Sequence, residues 1–203
     1  MTDQGTSDCG TGIHELSPHW RINWWLLLIF PASMEVAILA SILNPEMFPS
    51  LKATLEAPAP YLVGLVALVY AVRSLVTRNH LYMLLTALAV AFTLREMRDY
   101  EYLKWTKQGI YVMLVCIGVW AGFWRERLRG PLRDWRHTSW LIATFAAYFF
   151  SQVIARRAFR FIPGEQAIHV PLEEWAETTA HHLFLITALV GSWRRMSKTK
   201  SDT

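Results

Sequence analysis

Long apolar runs alternate with short polar or proline-bearing connections along this chain. A bilayer-spanning helix needs about 20 mostly apolar residues. Six such runs, 24–43, 61–76, 80–100, 109–124, 139–156 and 172–193, predict six helices. The second and fourth are short, so they must extend into flanking residues or tilt little. Prolines at 45, 49, 58 and 60 make the first connection a non-helical loop, and Pro131 and the Pro163–Gly164 pair break two later ones. The expected fold is all-α: a polytopic integral membrane bundle over 23–194, with polar tails at 1–22 and 195–203. Its two halves do not look related, which weakens a repeat-built transporter fold.

Composition sharpens this. Apolar residues make up 53% of 203 and charged ones 18%, against about 25% charged in soluble domains. Ten Trp and ten Phe exceed what a soluble core of this size buries. Two Cys cannot make a disulfide scaffold, and so apolar a chain is not disordered. The pI near 9.2 does not by itself make a nucleic-acid module, and no nucleic-acid partner is expected. Cys9 and Cys116 fall at different depths and are not expected to pair. Cys116 reads as an apolar packing residue.

Basic residues orient the bundle. With the N-terminus inside, the inner segments hold 12 of the 20 Lys and Arg, among them the run Arg125, Arg127, Arg129, Arg133 and Arg136. Trp24, Trp25, Trp120, Trp124, Trp140 and Trp193 fall at inner boundaries, and Trp105 and Trp175 at outer ones, as an aromatic belt requires. Met1–Arg21 is polar, without the apolar core of a signal peptide. The expectation is a multi-pass protein of the cell (inner) membrane with both termini cytoplasmic. Its partners would be membrane lipid and another membrane protein or a second copy of the chain.

Ionisable residues inside spans carry the chemistry, because each costs about 2.5–3.5 kcal/mol at the centre of a span unless paired, neutralised or hydrated. Glu35 lies roughly 12 Å from the outer end of the first span at 1.5 Å per residue. Glu174, Glu177 and His181 share one helical face. Glu96 and Asp99 close the third span, interleaved with Arg95 and Arg98; Gln152 and Arg156 end the fifth. In the expected topology all of these lie in the outer half of the membrane, where distant spans deliver them to one level.

The preferred reading is a metal-dependent membrane enzyme acting on a lipid or other membrane-soluble substrate. Glu96, Asp99, Glu174, Glu177 and His181 would hold a divalent iron, manganese or zinc ion, since carboxylates and imidazole suit such metals. Glu35 would be the catalytic base, and Arg95, Arg98, Gln152 and Arg156 would bind substrate through forked hydrogen bonds. The spacing Glu174-x-x-Glu177-x-x-x-His181 matches the residue types of di-metal bundles but not their Glu-x-x-His motif. Two alternatives stand beside it. One is a proton- or cation-coupled carrier using the same acids; the other is a non-catalytic subunit or assembly factor. Against all three, Arg95–Asp99 and Arg98–Glu101 also suit local helical ion pairs, and Glu173 and Glu174 suit a helix N-terminus.

Overall fold

The computed structural model describes residues 23–44, 54–97, 106–129, 131–158, 160–161, 165–191 and 193. Among these there are helices and no strand. A 3-10 turn at Trp24–Leu28 leads into α1 (Ile29–Leu43). There follow α2 (Ala59–Thr77), α3 (His80–Glu96), α4 (Thr106–Phe123), the short α5 (Arg125–Arg129), α6 (Trp135–Ala155) and α7 (Glu165–Leu189).

Local chemistry explains the ends. Pro60 stands in the first turn of α2, where its missing N–H is not needed. Arg78 ends that helix in the left-handed region at φ 53°, and Asn79 caps α3 by accepting from the Leu81 amide at 2.9 Å. Asp134 accepts from the amides of Arg136 and His137, so α6 begins four residues before the expected 139. The sixth run differs most: its helix begins at Glu165 and carries Pro171 inside it, not a boundary at 172. Proline leaves one intrahelical bond unmade, and the helix continues through it.

The helices pack as two antiparallel pairs, α2 with α3 and α6 with α7. The pairs join where α7 meets α2; α1 lies on α7 and α4 on α3. Small residues let α7 sit centrally: Ala176, Ala180 and Ala188 are fully buried, as are Ala89 on α3 and Ala147 on α6. Phe184 fills the middle, its ring 5.4 Å from Tyr70, 6.0 Å from Tyr148 and 6.3 Å from Phe92. Outward faces are apolar too: Leu39, Leu68, Val112, Val115, Phe123 and Phe149 are all exposed. Cys116 is exposed on α4, so its expected role in packing is corrected.

Two helices, Thr54–Thr77 and Trp135–Ala155, are long and apolar enough to cross a membrane; Trp24–Ala40 and Gln108–Phe123 are apolar but shorter. The all-α expectation stands, whereas two of the six expected spans meet this length and apolarity among the described residues.

Candidate functional site

At the end of the bundle where α3 finishes, three helices bring polar side chains together. Arg95 and Glu96 close α3, Tyr148 and Gln152 come from α6, and Glu177 and His181 from α7. Arg95 Nη2 donates to Glu177 Oε1 at 2.5 Å, and Gln152 Nε2 donates to the same oxygen at 3.3 Å. His181 is 1% exposed. Its Nδ1 is 2.7 Å from the Tyr148 hydroxyl, and its Nε2 faces Glu96 Oε1 at 3.8 Å. Arg95 Nη1 lies 3.9 Å from that same Glu96 oxygen. Two carboxylates thus share one guanidinium, and the imidazole is held between a phenol and a carboxylate.

The expected residues divide. Glu96, Glu177, His181, Arg95 and Gln152 converge, on helices far apart in sequence. Arg95 is engaged by Glu177, so its expected role as a substrate anchor is corrected to that of a counter-ion. Glu35 does not join: Met34 and Ala37 take the buried face of α1, and Glu35 is exposed. Two residues earlier on that helix, Ser33 ties α1 to α7 by a 3.3 Å hydrogen bond to Thr179. Glu174 is half-buried beside Glu56 and Glu177, two turns away from His181 along α7. Arg156 is exposed at the C-cap of α6. Arg98 and Asp99 lie outside the described residues. Among the described residues, no three His, Cys, Asp or Glu side chains are grouped as a metal ion would require.

Reading the chain for ionisable groups overlooks the neutral donors. Tyr148 orients His181, and its signal was its place one turn before Gln152, on the same face of α6. Below it the file continues. His137, Thr144, Tyr148 and Ser151 recur at i, i+7, i+11 and i+14 along α6 and are all buried. That stripe rises about 21 Å at 1.5 Å per residue. Thr144 Oγ1 meets Thr187 Oγ1 of α7 at 2.7 Å.

The opposite end holds a second buried charge. Arg73, fully buried, donates through Nη1 to the Ala188 and Val190 carbonyls at 2.9 and 2.5 Å. Its guanidinium lies 4.2 Å from the centre of the Tyr82 ring, which meets His137 edge-on at 5.5 Å. His137 is 1% exposed, and neither ring nitrogen has a hydrogen-bond partner among the described residues. Compared with known proteins, the chain matches no family model, no curated protein and no solved structure.

Proposed function

We propose that this chain is a multi-pass cell-membrane protein that works as a proton-coupled carrier. The observation that carries the reading is a run of polar side chains on α6 and α7, from the Glu177–Gln152 contact, where Gln152 is exposed, and the buried His181 through Tyr148 and the Thr144–Thr187 pair to His137 beside Tyr82. Buried polar groups cost free energy unless satisfied. Polar groups spaced along the middle of an otherwise apolar bundle are therefore the feature most in need of a function. Six spans with both termini cytoplasmic fit the outward apolar faces and the basic bias of the inner segments.

In this reading a proton taken up at His181 Nε2 from the Glu96 side releases the Nδ1 proton to the Tyr148 oxygen, and the phenolic proton passes on. Ordered water between Tyr148, Thr144 and His137 completes the route, each molecule needing two to four polar partners. Arg95 and Glu177 neutralise one another beside the imidazole.

A metal-dependent enzyme acting on a membrane-soluble substrate is the second reading, favoured by one distance. His181 Nε2 and Glu96 Oε1, 3.8 Å apart, are spaced as two ligands each about 2.0–2.2 Å from a shared zinc ion. A third ligand would have to come from Glu177 leaving Arg95, or from Asp99, three residues on from Glu96 in the sequence.

The two readings separate in one preparation. The full chain, reconstituted in liposomes containing a pH-sensitive dye, is expected to collapse an imposed pH gradient faster than protein-free vesicles do. Tyr148→Phe and Thr144→Val should each slow the collapse tenfold or more. A wild-type rate equal to that of empty vesicles overturns the carrier. One equivalent of retained metal that disappears in His181→Ala moves the assignment to the enzyme.

A further inference from the structure

A cavity of about 210 Å³ opens at the N-terminal end of α6, between that helix, the Trp24–Leu28 turn and the end of α7. Trp135, Arg136, Ser139 and Trp140 line it from α6, with Asn23 and Leu26 opposite. It lies at the far end of α6 from Tyr148 and Gln152 and shares no residue with the polar centre. Its size is below the 300–1,000 Å³ of sites that enclose a drug-sized ligand. It therefore fits a head group, not a whole amphiphile.

Three further features narrow the occupant. The Arg136 guanidinium is exposed and has no carboxylate partner among the described residues. Its ring contact among the described residues is with Trp135, at 5.4 Å. Two indoles beside one unspent positive charge suit the membrane–water boundary, where Trp pairs an apolar body with an N–H donor. The wall is also built: Ser139 is 2% exposed, accepts from the Asn23 amide at 3.0 Å and donates to the Trp135 carbonyl at 2.7 Å. That bond fixes the chain ahead of α1 against α6 and keeps the cleft from collapsing.

We infer that this cleft is a binding site for the head group of an anionic phospholipid, with Arg136 on the phosphate and Trp135 and Trp140 at the glycerol level. The inference rests on the membrane reading but not on the carrier reading. A forked guanidinium–phosphate contact adds geometry as well as charge, and net negative charge favours phosphatidylglycerol over phosphatidylcholine.

Native mass spectrometry of the full chain in detergent tests this, with phosphatidylglycerol, phosphatidylcholine and inorganic phosphate as probes. Wild type should retain one phosphatidylglycerol, at least tenfold in preference to phosphatidylcholine. Arg136→Gln, which removes the charge, and Leu26→Trp, which fills the cleft, should each cut retention about tenfold. Arg125→Gln, removing an exposed charge elsewhere, should not. Equal retention of the two lipids, or equal effects of Arg136→Gln and Arg125→Gln, overturns the site. Displacement of the lipid by inorganic phosphate alone makes the ligand a free anion and overturns it as well. Release of the chain from membranes by an alkaline wash is scored separately. It defeats the membrane reading, and retention is then measured on the soluble chain with a short-chain phosphatidylglycerol.

Discussion

Glu35 and Glu177 occupy comparable depths in the sequence reading and opposite situations in the structure. Depth along a helix follows from counting residues; direction around it depends on which neighbour the helix meets. Glu177 is 9% exposed and pairs with Arg95, whereas Glu35 is turned outward. Removing one partner of a buried ion pair strands the other charge, at about 3–5 kcal/mol for a fully enclosed pair. The Arg95 side chain is 34% exposed, so solvent screening brings the expected loss below that range. Arg95→Met and Glu177→Gln should each lower the unfolding midpoint in detergent, and the double variant should recover part of the loss. Strict additivity would show that the pair is not coupled. Glu35→Gln should leave the midpoint unchanged.

At the scale of elements, the end of α7 is held by a residue from another helix. The last carbonyls of a helix have no partner within it. Arg73 on α2 supplies one, donating to Ala188 and Val190 with its positive charge at the negative end of the helix dipole. Gly191 then turns the chain at φ +97°, and a Cβ there would come within 2.6 Å of Arg73 Nη2 and 3.1 Å of the His137 side chain. Alanine at this position meets both the left-handed backbone and a rigid, buried neighbour. Gly191→Ala should cost about 1–3 kcal/mol, read as a lowered unfolding midpoint; an unchanged midpoint would remove Arg73 as the clamp on α7.

For the whole molecule, two polar clusters at opposite ends, with small hydroxyls between them, are set into a core of apolar side chains around Phe184, and the outer faces are apolar as well. Exposed apolar side chains such as Leu68, Val115 and Phe123 are suited to a bilayer, in keeping with the proposed membrane location. Both tails on the cytoplasmic side is the expected arrangement. In sealed, right-side-out cells, cysteine-reactive or proteolytic probes should leave tags at either terminus untouched until the membrane is opened. A tag modified from outside reverses the assignment.

Apolar runs placed the helices to within several residues, because hydrophobic length is a local property; the run at 139–156 began four residues late, its start set by the Asp134 cap, and the run at 172–193 seven residues late. Position along the runs likewise pointed to ionisable residues at one level, of which Glu96, Glu177 and His181 come together. The sequence could not say that Arg95 is spent on Glu177, that Glu35 looks away, or that His137 and Tyr148 belong to one stripe with Thr144. Each of these depends on the rotation of a helix about its axis, and that angle is set by contacts between residues as distant as Arg73 and Val190. Length and hydrophobicity are properties of a segment, while azimuth and partnership exist only once the helices have packed.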